Sequence, residues 1–200
     1  MHLNFKHARI NNKKEEKGLS LIESAMVLAL AATVTAGVMF YYQSAADSNK
    51  TQAAISEVMS ATSAINGLYI GQSNYDGLHE RVLINSSAIP DNYKNKTSNK
   101  ISNPFGGELN VTAGNNNGYG YKLELTQLPK SACISLATLN LGTSAAGYGI
   151  GTVTGNGADI FVDNLAQGKA KKTAITPSEA AESGKGCQDG NNNKVSYFMK

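Results

Sequence analysis

One carboxylate interrupts a long uncharged stretch. From Leu19 to Tyr42 the residues are almost wholly Ala, Leu, Val, Met, Thr, Gly and aromatics, and Glu23 is the single charged side chain among them. An ionised group without a partner is costly in apolar surroundings, so this acid marks a functional contact whose partner lies elsewhere. The alternative is a carboxylate snorkelling to a membrane interface, which its place four residues after Leu19 permits. Other chemistry-bearing side chains are sparse. Cys133 and Cys187 are the two cysteines, and nothing near them supplies the further ligands that a zinc ion needs, so a disulfide is expected. Past residue 18 the one histidine is His79, in turn-rich sequence with no triad-like arrangement of Ser, Cys or Asp, and it reads as a solvated side chain. The cluster Gly147-Tyr148-Gly149-Ile150-Gly151 lacks the third-glycine spacing of a dinucleotide loop, since Thr152 and Thr154 stand where it would fall. It reads as a turn or edge strand. There is no histidine pair of metalloprotease spacing, no phosphate loop and no acidic calcium loop, so neither an enzyme nor a metal or cofactor is expected.

The elements that position Glu23 follow from charge and hydropathy. Residues 1–18 are polar and carry Lys6, Arg9, Lys13, Lys14 and Lys17 against Glu15 and Glu16, which accounts for the whole net charge of +3. The remaining chain is balanced, so no nucleic-acid partner is expected. The basic cluster directly before the apolar run places the leader in the cytoplasm and the rest across the membrane. At the standard rise the apolar run makes about 36 Å of helix, enough to span a bilayer and longer than the core of an ordinary secretory signal. Ser44-Ala45-Ala46 is the one competing feature, because it passes for a signal-peptidase site.

Beyond Tyr42 the character changes without a helix breaker. Polar residues enter, Glu57 among them, while Ile55, Val58, Met59, Thr62, Ile65 and Tyr69 recur at three- and four-residue spacing. This predicts an amphipathic helix whose apolar stripe is ordinary core packing. No proline precedes Pro90, so one helix can run from about Leu19 to Ile70, weakened only by Gly37 and Gly67.

Residues 71–107 are turn-rich and read as a connecting region with small elements such as the apolar piece Val82-Leu83-Ile84. Glu108–Thr112 and Tyr119–Thr126 alternate apolar and polar residues, and Asn115-Asn116-Asn117-Gly118 between them is a hairpin composition, which predicts two antiparallel strands. Pro129–Leu141 reads as a helix closed by Gly142. Tyr148–Val153 and Asp159–Val162 are candidate short strands. Thr176-Pro177-Ser178-Glu179 is a capping box opening a short helix to about Ser183, and Val195–Met199 is a last strand.

The segment Lys13-Lys14-Glu15-Glu16-Lys17-Gly18 followed by Leu19-Ser20-Leu21-Ile22-Glu23 resembles the class III signal of type IV prepilins. That pattern is a basic leader ending in Gly, a cut before an apolar segment, and a Glu five residues into the mature chain. Leu at the first mature position, the longish leader, the absence of a helix-kinking proline and the two C-terminal cysteines resemble the type IVb branch. The resemblance implies an α+β type IV pilin fold, with a long N-terminal helix packed on an antiparallel-rich mixed sheet and a disulfide-bounded C-terminal region over 133–187. It divides the chain into a removed leader (1–18), a helix (19–70) with a polymerisation half (19–42) and an amphipathic half (43–70), a connecting region (71–107) and a sheet head (108–200).

What the resemblance implies about function is equally specific. Cleavage by a prepilin peptidase falls between Gly18 and Leu19, and Leu19 is N-methylated. The precursor waits in the inner membrane with its leader cytoplasmic and its head periplasmic. The assembly machinery then polymerises it into a helical homopolymer, in which Glu23 meets the Leu19 amine of a neighbouring copy. The chain is expected to be the major structural subunit of surface fibres for bacterial aggregation and host-cell adherence, with host-cell glycans or other pili as outward partners. Two alternatives stand beside this: a minor pilin or pseudopilin, and a membrane-anchored carbohydrate-binding module. The last leaves Gly18 and Glu23 unexplained.

Overall fold

The computed structural model describes residues 20–114, 118–154 and 158–200. They fall into two compact units that divide between Gln43 and Ser44. The described part of the first unit is helical, and its helix α1 (Leu21–Leu68) continues into the second. In the second unit α1 buries Ala54, Glu57, Val58, Ala61 and Ile65, a stripe at three- and four-residue spacing. This corrects the sequence reading at two places. Met59 is 54% exposed, and Glu57, read as part of the polar face, is buried.

The stripe packs on an eight-stranded sheet of order β1-β2-β3-β4-β8-β5-β7-β6. Its strands are β1 (Lys94–Asn95), β2 (Lys100–Ser102), β3 (Glu108–Ala113), β4 (Tyr121–Leu128), β5 (Ala145–Ile150), β6 (Phe161–Val162), β7 (Ala170–Lys171) and β8 (Asn193–Met199). All pairings are antiparallel except β6–β7. The long ladders are central, and each edge strand is two residues long, which leaves little backbone for unwanted pairing.

Register assigns the faces, because partners across a ladder share one. Leu109, Val111 and Ala113 oppose Leu125, Leu123 and Tyr121, which in turn oppose Val195, Tyr197 and Met199. This face meets α1: the Tyr121 hydroxyl donates to Asn66 Oδ1 at 3.3 Å. It also meets α3 (Lys130–Ala137), where the Tyr197 hydroxyl donates to the Leu136 carbonyl at 2.7 Å. The opposite face carries a second cluster built from Phe198, Ile160 and Ala170 with Tyr119, Phe161 and Val153. Gly147 lets it form, since a Cβ there would lie 2.6 Å from Cε1 of the Phe161 ring. The glycine-rich run is therefore an aromatic seat, on the inner strand β5 rather than at an edge.

Local expectations fared unevenly. The two-strand expectation is met by β3 and β4, though the turn residues Asn115–Asn117 lie outside the described residues. The apolar piece Val82-Leu83-Ile84 belongs to a short helix, α2 (Glu80–Ile84). The helix expected to reach Leu141 stops at Ala137. Thr138 caps it with its hydroxyl on the carbonyls of Ile134 and Ser135, and the Tyr148 hydroxyl takes the Leu141 N–H that a longer helix would need. The strand expected over Tyr148–Val153 runs over Ala145–Ile150 instead, ended by Gly151 at φ 76°. Thr176 and Glu179 make the reciprocal capping box at α4 (Pro177–Ala180).

Candidate assembly helix and the disulfide-closed head

The described part of the first unit is a helix whose apolar side chains are exposed. Leu21, Phe40, Tyr41 and Tyr42 are each more than three-quarters exposed, and Ile22, Val27, Leu30, Val34 and Val38 are exposed on other sides of the same turns. Apolar surface on every side of a helix needs lipid or other protein around it. The few hydroxyls do not oppose this, because they turn back on the helix. Ser24 Oγ donates to the Leu21 carbonyl, Thr33 to Leu30 and Thr35 to Ala31, at 2.8–3.0 Å. By length and composition this helix can cross a membrane.

Glu23 sits in the first turn of α1 and is exposed. A carboxylate there is favoured by the uncompensated N–H groups of the helix start. Among the described residues it has no ion-pair partner. Gly18 and Leu19 lie outside the described residues.

In the head, Cys133 of α3 and Cys187 form a disulfide, with their Cα atoms 5.9 Å apart. The segment it closes holds one further strong contact that the sequence reading missed. Lys171 of β7 is 8% exposed and its ammonium bonds both carboxylate oxygens of Glu179. Only the helix-capping half of Glu179's role is visible locally. Two buried amides, Asn103 and Asn193, also hold turns together without a distinctive local sequence signature. Asn103 donates to the carbonyls of Thr126 and Glu108 and accepts from the N–H groups of Phe105 and Gly107, which shapes the Asn103-Pro104-Phe105-Gly106-Gly107 turn. Asn193 joins the carbonyls of Leu128 and Gln188 beside the irregular end of β4, where Gln127 has φ 55°. Their signal in the sequence is an Asn within a Gly- and Pro-rich turn, which is too common to single out.

Among the described residues no catalytic constellation forms. His79 is exposed at the start of α2, its Nδ1 donating to the Gly77 carbonyl at 2.6 Å, and no cluster of three potential metal ligands exists among the described residues. Ser73, Asn74, Tyr75, Asp76, Tyr119 and Lys200 line an open cleft of about 380 Å³, polar and aromatic in character.

Comparison with known proteins agrees with this geometry. A family model described as Bundlin matches residues 43–200. Two curated proteins, each described as the major structural subunit of bundle-forming pilus, come from Escherichia coli O111:H- and from Escherichia coli O127:H6 (strain E2348/69 / EPEC). Each is 68% identical over 194 residues, covering 96% of this chain and 99% of the relative. Among solved structures, TcpA, a type IV pilin from Vibrio cholerae El Tor biotype, superposes with a TM-score of 0.52 at 15% identity, covering 76% of this chain and 99% of that one. That likeness extends to the fold: a long N-terminal helix on a mostly antiparallel sheet.

Proposed function

This chain belongs to the Bundlin family, and from that premise we propose that it is the major structural subunit of a type IVb pilus. The observation that carries the proposal is the exposed apolar surface on all sides of Leu21–Tyr42, which a single chain cannot bury. The role is structural and non-catalytic. Before assembly the apolar helix rests in the inner membrane, with the leader (1–18) on the cytoplasmic side and the head on the other. A prepilin peptidase cuts between Gly18 and Leu19, and Leu19 is N-methylated. The assembly machinery then moves the helix from lipid into the core of a fibre.

Cutting at Gly18 leaves an amine on Leu19, and in the low-dielectric core that cation needs an acid. Glu23 of an adjacent copy is the group available at the same level of the helix. Their pairing sets the register of one helix against the next more than it adds stability, because desolvating both charges consumes much of the attraction. A repeated head-to-tail contact that does not close makes an open helical fibre. Such a fibre repeats every exposed loop of the head, so weak contacts with a host-cell glycan or with other pili are multiplied into adherence and aggregation.

The intact mass and N-terminal residue of protein sheared from cells test this reading. Leu19 carrying one methyl group is the expected result, and a start at Asp47 overturns it in favour of ordinary signal cleavage. Glu23→Ala is expected to give processed subunit and few or no fibres; wild-type piliation in that variant would remove the proposed pairing. Abundance in the sheared fibre separates a major subunit from a minor pilin.

A further inference from the structure

The part of α1 that lies in the second unit buries an acid that the assembly reading does not use. Glu57 is 4% exposed, on one stripe with Ala54, Val58, Ala61 and Ile65. Among the described residues, neither of its carboxylate oxygens has a hydrogen-bond partner. Among the described residues, the charged groups on the elements around this core are engaged elsewhere: Arg81 of α2 is exposed and donates to Asn99 Oδ1, and Lys194 of β8 alternates with Val195 and so lies on the far face. Lys94 of β1 pairs with Asp91 and donates to the Ser86 carbonyl, and Glu80 of α2 accepts the Val111 N–H. Lys100 of β2 pairs with Glu108 of β3, Lys130 of α3 with Asp189, and Lys171 of β7 with Glu179. Lys122 and Glu124 of β4 pair with each other on the far face of the sheet. Burial holds the phenols of Tyr121 and Tyr197 neutral. On α1 itself Asp47 is half-buried and Lys50 exposed, ten and seven residues before Glu57.

We propose that Glu57 makes the seam between this half of α1 and the sheet a proton-dependent latch, closed while the acid is neutral and loosened when it ionises. A neutral carboxyl is a modest burden in an apolar seam, whereas a carboxylate there must find water, and the only route is to part the helix from the strands beneath it. With no cation to offset it, burial pushes the carboxyl up from 4.5 to about 8. The sign of the effect follows. The unfolded chain releases this proton near pH 4.5 and the folded chain near pH 8, so the stabilisation is complete below pH 4.5 and is lost as pH rises to about 8. Acid tightens the seam and neutral pH weakens it.

The latch concerns one subunit and does not rest on the assembly reading. A fibre would confuse the two, because a free α-amine such as that of Leu19 ordinarily titrates near pH 7.7–8.0. The test therefore uses the processed chain as a monomer in detergent, as wild type and as Glu57→Gln, unfolded in urea from pH 5 to 9. The wild-type unfolding constant is expected to rise about tenfold per pH unit up to pH 8 and then level, and the Gln variant to lack that slope. At pH 8, amides 54–65 of the Gln variant should exchange at least tenfold more slowly than those of the wild type. Carboxyl-carbon NMR on wild-type protein gives a reading that does not depend on the variant folding. A Glu57 resonance titrating near pH 8 supports the latch. Titration below pH 6, or parallel pH profiles for the two proteins, overturns it.

Discussion

The Lys171 ammonium lies 2.7 and 2.6 Å from the two carboxylate oxygens of Glu179, and the same carboxylate accepts the Thr176 N–H at 2.9 Å. One acid therefore neutralises a buried cation and caps α4. The hydrogen bond from Lys171 is the main cause that holds this carboxyl down at about 2, with the Thr176 N–H next.

The two partners are not equivalent, and their removal should differ. Glu179→Ala strands the Lys171 ammonium, whose side chain is 9% exposed, and removes the cap, at an expected cost of roughly 3 kcal/mol. Lys171→Met leaves Glu179, whose side chain is 25% exposed, still capping α4 and hydrated, at about 1 kcal/mol. Urea unfolding at pH 7 checks the order of the two.

The same carboxyl is expected to contribute to the acid limit of the head. Its pKa is lowered on folding, so its contribution is fully present above pH 4.5 and fades as pH falls toward 2. The wild-type unfolding constant should rise over that window, and Glu179→Gln should flatten the rise. An unchanged acid slope in the variant would reassign it to other carboxylates, such as Asp91 and Asp189, which their lysine partners also hold low.

Three glycines should respond differently to alanine. At Gly107 a Cβ would overlap the Thr126 backbone carbonyl, which the adjacent ladder fixes, so Gly107→Ala is expected to cost 3 kcal/mol or more, roughly. At Gly147 the obstacle is the Phe161 ring, which can turn aside at about 1–3 kcal/mol. At Gly67, inside α1, nothing lies within 4 Å, so alanine should stabilise the helix by about 0.5–1 kcal/mol. Thermal melts of the three variants give the ranking directly.

What could be read in advance depended on how local the cause was. The Thr176–Glu179 capping box lies within four residues and was legible, as were the apolar run and the alternation of β3 and β4. Two-residue strands such as β7 carry no period, and Lys171 becomes a core residue only because Glu179 arrives from another element. Glu57 was legible in principle. The angular spacing of Ala54, Val58, Ala61 and Ile65 includes position 57, but the usual preference of Glu for solvent points the other way. Conversely, the hydrophobicity of Met59 suggests core, yet its angular position leaves it exposed. The assembly chemistry at Gly18, Leu19 and Glu23 was legible only as a motif, because its partners belong to other molecules.

Closing a loop between Cys133 and Cys187, 54 residues apart, should stabilise the head by about 4 kcal/mol on the chain-entropy account. Replacing both cysteines by alanine is expected to lower the melting temperature, and strong reductant should lower the wild type to the same value. A loss in the double variant that reductant does not reproduce would point to packing of Cys133, which is fully buried, rather than to the cross-link.

The C-terminal strand is the least dispensable edge of the sequence, because in space it is not an edge. β8 pairs with β4 on one side and β5 on the other, and Met199 opposes both Tyr121 and Ala145. Ending the chain after Ser196 removes the Phe198 ring and opens both ladders, so no folded head is expected by near-ultraviolet dichroism. Tyr197→Phe separates the strand from its hydrogen bond. The Leu136 carbonyl it abandons still accepts the Leu139 N–H, so no buried acceptor is orphaned and the cost should be about 1 kcal/mol. A native near-ultraviolet spectrum from the truncated chain would show instead that β4 and β5 can close on each other without the strand between them.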